Sequence, residues 1–373
     1  MKYQWSQINL KAATVAGIML RLAFDILHTK PQQIYLLIMS KKNQPKNKAT
    51  AISTKISPAA KLELKKEELL AKNHESIADI NNSQDFNKEP SLAAPAPYIK
   101  LSNKWEFQFE AIAGTKHLNS TPVVPCQDAA ISGIYPKPFV IVADGAGSSA
   151  MSDIGAQTVV TSLSRLLETL EQEVSGLLDQ SNQTAEQSRR FALMLTKHAR
   201  GVLIDLAKMQ RRPVKDFRCT LLLAILGKAN LLWLKVGDGA LVKEEIRVLP
   251  DDSRELILET LGDVGKGDFA NETTFIDEHL RVEDVKSGIL SSNNISGLAA
   301  MSDGSALALV SHDGTKVAAR ISKWFNDLRS GKLKKHIITS SFYDSDFSRR
   351  AMGDDCSIAL VARELNVISQ ITG

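Results

Sequence analysis

Past Lys104 the apolar residues fall into short runs with the rhythm of strands. Phe107 to Ala113 alternates apolar and polar positions, the period-two pattern of a half-buried strand. Phe139 to Ala143 and Thr220 to Leu226 are continuous apolar runs, the pattern of strands covered on both faces. Leu231 to Val236 follows after Gly227-Lys228-Ala229-Asn230, which supplies hairpin turn chemistry. Gly297 to Met301 and Ser357 to Ala362 complete the set. Between these runs, Ile154 to Leu178 and Ala185 to Met209 are long helical patterns, and Lys316 to Leu328 is a shorter one. Strands gathered around a pair of helices, rather than alternating with them, predict an α+β fold with layered antiparallel sheets. No internal repeat is visible.

The first hundred residues read differently. Ala12 to Leu27 is apolar but broken by Arg21 and Asp25, so it falls short of the ~20 apolar residues that span a bilayer. It also lacks a tidy small-x-small cleavage site. Ile18, Leu22 and Leu27 would share one face of an amphipathic helix, so residues 1–39 leave a membrane-surface role open; alternatively Met39 is the native start. Residues 40–103 are rich in Lys, Asn, Ala, Ser and Pro. Such a stretch buries too little apolar surface to offset its ordering entropy. One helix is expected inside it, from Pro58 to Lys72, and Ala93-Ala94-Pro95-Ala96-Pro97 closes it as a stiff linker. The expected organisation is therefore this extension, a catalytic domain over 104–366 and a short tail over 367–373.

Composition narrows the function. At 373 residues the chain holds one large domain and something smaller. A net charge of +4, with the basic excess in the Lys41 to Lys72 stretch, gives no reason to expect a nucleic-acid partner. Cys126, Cys219 and Cys356 are widely spaced and odd in number, so they read as reduced thiols of a cytoplasmic protein rather than as a zinc site or a disulfide framework.

The chemistry lies in aspartates. Asp144 follows the run Phe139 to Ala143 and precedes Gly145; Asp303 follows Gly297 to Ser302 and precedes Gly304. Asp354 follows Gly353 just ahead of the last strand, and Asp128 sits in Cys126-Gln127-Asp128-Ala129. Any one Asp-Gly is ordinary turn chemistry. Four aspartates at strand ends are another matter, because converging carboxylates need cations to offset their burial. All-oxygen ligands favour hard ions, Mg²⁺ or Mn²⁺. Spacing alone leaves the turn reading and the metal reading both standing.

Read in order, the segments resemble the protein phosphatase type 2C (PPM) family, in its bacterial branch. They are Gly114-Thr115-Lys116-His117, Pro125-Cys126-Gln127-Asp128-Ala129, Val142-Ala143-Asp144-Gly145-Ala146-Gly147, Cys219-Thr220-Leu221-Leu222, Val236-Gly237-Asp238-Gly239, Ala270-Asn271-Glu272-Thr273, Met301-Ser302-Asp303-Gly304 and Gly353-Asp354-Asp355-Cys356-Ser357. The resemblance spans roughly residues 104–364. It implies a four-layer αββα sandwich of two antiparallel sheets with metals in a cleft at one end. It also implies a serine/threonine phosphatase working with two Mn²⁺ or Mg²⁺ ions. Asp128 and Asp144 would be the central ligands, with Asp144 bridging both ions and the Gly145 carbonyl a backbone ligand. Asp303 and Asp354 would hold one ion from the opposite wall, Asp238 would stabilise a turn, and a third ion would use Asp216 with Asp303. A metal-activated hydroxide would attack phosphorus in line. The absence of a C-x-x-x-x-x-R loop and of a Walker motif agrees with that.

Three departures stand out. Where many members carry an arginine to grip phosphate, this chain offers Lys116 and His117, which are expected to serve in its place. Ala146 stands where some members have a histidine acid, and Gln127 where others have a glutamate. The loop Gly262 to Thr273 would be the flap beside the cleft. The expected partners are phosphoprotein substrates of a bacterial Ser/Thr kinase, met by a monomer. A pseudophosphatase of the same fold and a small-molecule phosphoesterase are the competing readings.

Overall fold

The computed structural model describes residues 98–250, 253–262 and 273–368. The expectations for the N-terminal extension, and most of the Gly262 to Thr273 loop, lie outside these residues. Ten strands form two antiparallel sheets of five. The first contains β1 (Tyr98–Ile112), β6 (Ala240–Val248), β7 (Arg254–Thr260), β9 (Ile295–Met301) and β10 (Cys356–Ile368), in the order β1-β10-β9-β6-β7. The second runs β2 (Asp128–Gly133), β3 (Phe139–Asp144), β4 (Leu221–Leu226), β5 (Asn230–Val236) and β8 (Lys286–Ser291) in sequence order. β1 begins at Tyr98, ahead of the change of character at Lys104.

Alternating residues of the apolar runs explain the layering. In β3, Val140 and Val142 join Leu222, Ala224, Leu298, Ala300, Ala359 and Val361 between the sheets. Its other face sends Phe139, Ile141 and Ala143 against α2 (Ser152–Thr169), α3 (Glu171–Leu178) and α4 (Ala185–Gln210). On the first sheet, Ile358, Leu360 and Met301 pack against α5 (Asp303–Leu309), α6 (Ala319–Arg329), α7 (Lys335–Phe342) and α8 (Ser345–Arg350). A short helix α1 (Thr115–Leu118) follows β1. The result is the four-layer αββα arrangement. The inner strands β3, β4 and β9 bury both faces, which is why their runs are continuously apolar, at about 1.5–3 kcal/mol for each fully buried Leu, Ile or Val side chain.

Helix boundaries follow local chemistry. α4 opens on a reciprocal capping box: Gln187 N–H donates to Thr184 Oγ1 at 3.1 Å, and Thr184 N–H to Gln187 Oε1 at 2.9 Å. It ends at Arg211, held left-handed at φ 53°. The pattern read as one helix over Ile154 to Leu178 is two, broken at Leu170 (ψ 29°), with Glu171 and Glu173 restarting the first turn of α3. Among the described residues no helix is long and apolar enough to cross a membrane.

An acidic cleft at the end of the two sheets

Strand register brings the aspartates together. β2 and β3 pair so that Asp128 faces Asp144 directly across the ladder, at the end of the second sheet. Like charges opposite each other in a sheet repel. The arrangement persists because the backbone around it is tightly held. Asp144 N–H donates to Thr220 Oγ1 at 2.9 Å, Thr220 N–H to the Asp144 carbonyl at 2.8 Å, and Gly145 N–H to the Gln127 carbonyl at 3.0 Å. From the first sheet, β9 runs into Ser302 and delivers Asp303 as the first residue of α5. Asp354 precedes β10.

These residues line one cleft, together with His117, Gln127, Gly145, Ala146, Gly147, Asp238, Thr273, Phe275 and Asp355. Carboxylate oxygens of Asp144, Asp238 and Asp303 lie within 4.8 Å of one another. Asp238 therefore faces the cleft from the β5–β6 turn and also accepts a hydrogen bond from Thr273 Oγ1 at 2.9 Å. The sequence reading had set it aside as a turn residue. Its flanking Gly237 and Gly239 both have φ +92°, a conformation only glycine adopts freely, and this sharp turn is what aims Asp238 inward.

Electrostatics mark the cleft as short of positive charge. Burial pushes the Asp128 carboxyl up to about 8, with Asp355 and Asp303 adding to the rise and the Ser302 and Ser357 hydroxyls opposing it. Burial also lifts Asp144 well above the usual carboxylate range, reinforced by Asp128, Asp303 and Asp238. Asp303 rises to about 6 through burial and then through Asp238 and Asp354. Asp128 Oδ2 is fully buried and has no hydrogen-bond partner. A hard divalent cation fits this donor set: six carboxylates line the cleft, and the orphaned Asp128 oxygen is among their atoms. The thiols of Cys126 and Cys356 are pushed up by burial and then by the neighbouring aspartates, so both are held as thiols beside the cleft.

A second carboxylate holds the walls in place. Asp355 is buried and accepts from Gly114 N–H at 2.7 Å and Gln127 N–H at 2.6 Å, joining the segments after β1 and before β2 to the start of β10. Gly114 is obligatory there, since a Cβ would sit 2.2 Å from the Asp354 carbonyl carbon. His117 Nδ1 lies 2.8 Å from Asp355 Oδ1 but is not aligned as a hydrogen bond.

The other sequence-predicted residues lie further out. Lys116 is half exposed, with Nζ 3.4 Å from Asp354 Oδ2. Asp216 sits on a 3-10 turn over Val214–Phe217, pairs with Arg212 at 3.3 Å, and does not line the cleft. Sequence reasoning missed Asp238 and Asp355. The signal for the first was its glycine-flanked context, shared with the aspartates that were picked. The signal for the second was the doubled Asp354-Asp355.

No curated protein matches. Among solved structures, a serine-threonine phosphatase 2C from Toxoplasma gondii is 13% identical, with 74% of this chain and 100% of that one covered at a TM-score of 0.49. The serine/threonine phosphatase Stp1 from Staphylococcus aureus is 13% identical, over 70% and 96% of the two chains, with a TM-score of 0.42. The catalytic domain of the phosphatase PstP in complex with two manganese ions is 12% identical, over 70% and 98%, with a TM-score of 0.43. The sequence profile of Protein phosphatase 2C matches residues 113–339, more than half of the chain and all of the cleft's first-sheet and second-sheet walls up to α7. With that match and the paired-sheet fold, the chain belongs to the protein phosphatase 2C family.

Proposed function

We propose that this protein is a metal-dependent protein serine/threonine phosphatase. The observation that carries the reading is the convergence of Asp128, Asp144, Asp238, Asp303 and Asp354 on one cleft with a buried, unpartnered oxygen on Asp128. Asp128, Asp144 and the Gly145 carbonyl would hold a cation from the second sheet. Asp144, Asp303 and Asp354 would hold another from the first, and Asp238 is better situated than Asp216 to contribute to any further ion. When bound, Mn²⁺ or Mg²⁺ ions supply Lewis acidity and a low-pKa water for displacement at phosphorus.

The chain's own residues do the remaining work. Thr220 and Gln127 fix the backbone on which Asp144 and Gly145 sit. His117 stands in the cleft wall, fixed through α1 and Asp355, where its ring can meet a phosphate oxygen or the leaving alkoxide. Lys116 reaches the same rim as a point charge and lacks the bidentate fork of an arginine. Ala146 offers no acid, so the proton for the leaving group comes from His117 or from water.

The test is release of phosphate from a phosphothreonine peptide with Mn²⁺ or Mg²⁺, compared with its Asp144→Asn variant. The reading predicts turnover that needs the ion and is lost in the variant. Turnover of a small aryl phosphate with none of the peptide would replace it with the small-molecule reading. No turnover of either would leave a binding module of the same fold.

A further inference from the structure

Six aspartates line the cleft, and none of the residues lining it is a lysine or an arginine. Divalent cations bound there would balance the cleft itself, so the rim's own side chains set the field met by the residues that flank a phosphorylated one. On the Asp354 side, the Lys116 ammonium is turned onto Asp354. The opposite rim is built otherwise.

There the strand-like segment ahead of β4 runs along the cleft wall. Cys219 bridges Gly145 on one side and Ile276 on the other, and Ala146 N–H donates to the Arg218 carbonyl at 3.1 Å. The Arg218 guanidinium lies over the ring of Phe275, a cleft residue, with 5.1 Å from its carbon to the ring centroid. It donates from Nε to Ser149 Oγ at 3.1 Å and from one terminal nitrogen to the exposed Ser148 Oγ at 2.7 Å. Among the described residues no carboxylate pairs with it. An arginine stacked on an aromatic ring and pinned by two hydroxyls keeps its fork pre-organised for a carboxylate.

The cation is not alone. Ser149 Oγ also donates to the Lys215 carbonyl at 2.7 Å, tying the 3-10 turn to the same loop. Lys215 and Arg211 are exposed and make no ion pair among the described residues. The acidic group of that turn, Asp216, is engaged with Arg212 at 3.3 Å.

We infer that Arg218, with Lys215 and Arg211 behind it, is a docking edge for an acidic stretch of the phosphoprotein next to the phosphorylated residue. The inference rests on the phosphatase reading for the chemistry, but the docking edge is measurable without turnover. Because Arg218 lies behind Phe275 rather than in the cleft lining, its natural partner is a flanking carboxylate and not the phosphate itself.

The experiment uses two phosphothreonine peptides that differ only in their flanking residues, three Asp or Glu in one and three Ser or Gln in the other. Binding of each is followed by fluorescence anisotropy on the Asp144→Asn protein, and kcat/KM on the wild-type protein with Mn²⁺. The expected result is a preference for the acidic peptide of about tenfold at low salt that shrinks as salt screens the rim. Arg218→Glu should reverse it, and Arg218→Gln, which keeps the stem and a donor, should bring the ratio close to one. Equal affinities for the two peptides in the wild-type background would overturn the docking edge. So would an Arg218→Glu protein, folded by circular dichroism, that weakens both peptides equally. A binding preference with no hydrolysis of either peptide would sink the phosphatase reading and leave the docking edge standing.

Discussion

Two buried clusters of carboxylates in this molecule are treated in opposite ways. In the middle of the first sheet, Glu244 on β6 is fully buried, and its Oε2 takes both the Arg329 guanidinium from α6 and the Ser296 hydroxyl at 2.7 Å. Arg329 also donates to the Arg363 carbonyl at 2.8 Å and to the Ser296 carbonyl at 3.1 Å. One oxygen of Glu244 is thus matched by a cation and a hydroxyl within the chain, while its Oε1 is buried without a hydrogen-bond partner. At the end of the sheets, Asp128 is buried and Asp144 partly buried against other carboxylates and serine hydroxyls, with no guanidinium or ammonium supplied to either among the described residues. A protein that places an arginine beside one buried carboxylate and none beside this pair has left the second site to be balanced from outside. That contrast carries more weight than the mere count of aspartates.

The contrast can be broken most sharply at Asp144. Asn there should lower kcat toward a phosphothreonine peptide by about three orders of magnitude, roughly 4 kcal/mol of barrier. The same change should raise the stability of the metal-free protein in urea, because it removes a carboxyl that must take up a proton to be buried in the crowded cluster. Equal loss of activity and of stability would contradict the account. At the other cluster the sign inverts. Arg329→Leu leaves Glu244 buried and unpaired and should cost about 3–5 kcal/mol of unfolding free energy. Adding Glu244→Gln to it should recover much of that loss, as read from urea midpoints.

The titration of the cleft sharpens the comparison. Asp128 and Asp303 have folded values near 8 and 6, both above the ordinary carboxylate value near 4 of the unfolded chain. The folded state therefore holds protons that the unfolded state has released, and metal-free stability should fall as pH rises from about 4 to about 8. Saturating Mn²⁺ should flatten that decline. A metal-free protein that gains stability over the same window would count against the assignment. The smallest expected effect is at Asp355. Asn in its place keeps the shape but turns one acceptor into a donor against two backbone N–H groups. It should cost about 1–3 kcal/mol of stability and loosen His117 along with it.

Much of this was legible in the chain, and the failures have physical causes. The runs over β3, β4 and β9 became strands because both faces are covered, while Phe107 to Ala113 is half-buried and legible through its alternation. β6 was missed because Lys243, Glu244 and Glu245 interrupt its apolar sequence. In the fold they are neutralised by Arg329 and by ion pairs across to Glu259 on β7, and no single-residue pattern foretells such pairing. The short helices α5, α7 and α8 were unread, since each has too few turns to establish a period. At the site, Asp128, Asp144, Asp303 and Asp354 stood out by their strand-end context. Asp238 has the same context but was read as a turn, and only the position of β9 beside β6 brings its carboxylate to Asp144 and Asp303. Arg218 carried no sequence signal, because its meaning comes from Phe275, more than fifty residues later.

The central claim is that the cleft's negative charge is balanced by divalent cations that the chain itself declines to balance. Isothermal titration of the protein with Mn²⁺ near pH 7, repeated in two buffers of different ionisation enthalpy, tests it directly. The account predicts binding of two ions accompanied by proton release, because Asp128 and Asp144 must give up protons held by burial, with both signals diminished in Asp144→Asn. An absence of binding at millimolar Mn²⁺ and Mg²⁺, or binding that releases no protons and is indifferent to Asp144→Asn, would contradict it.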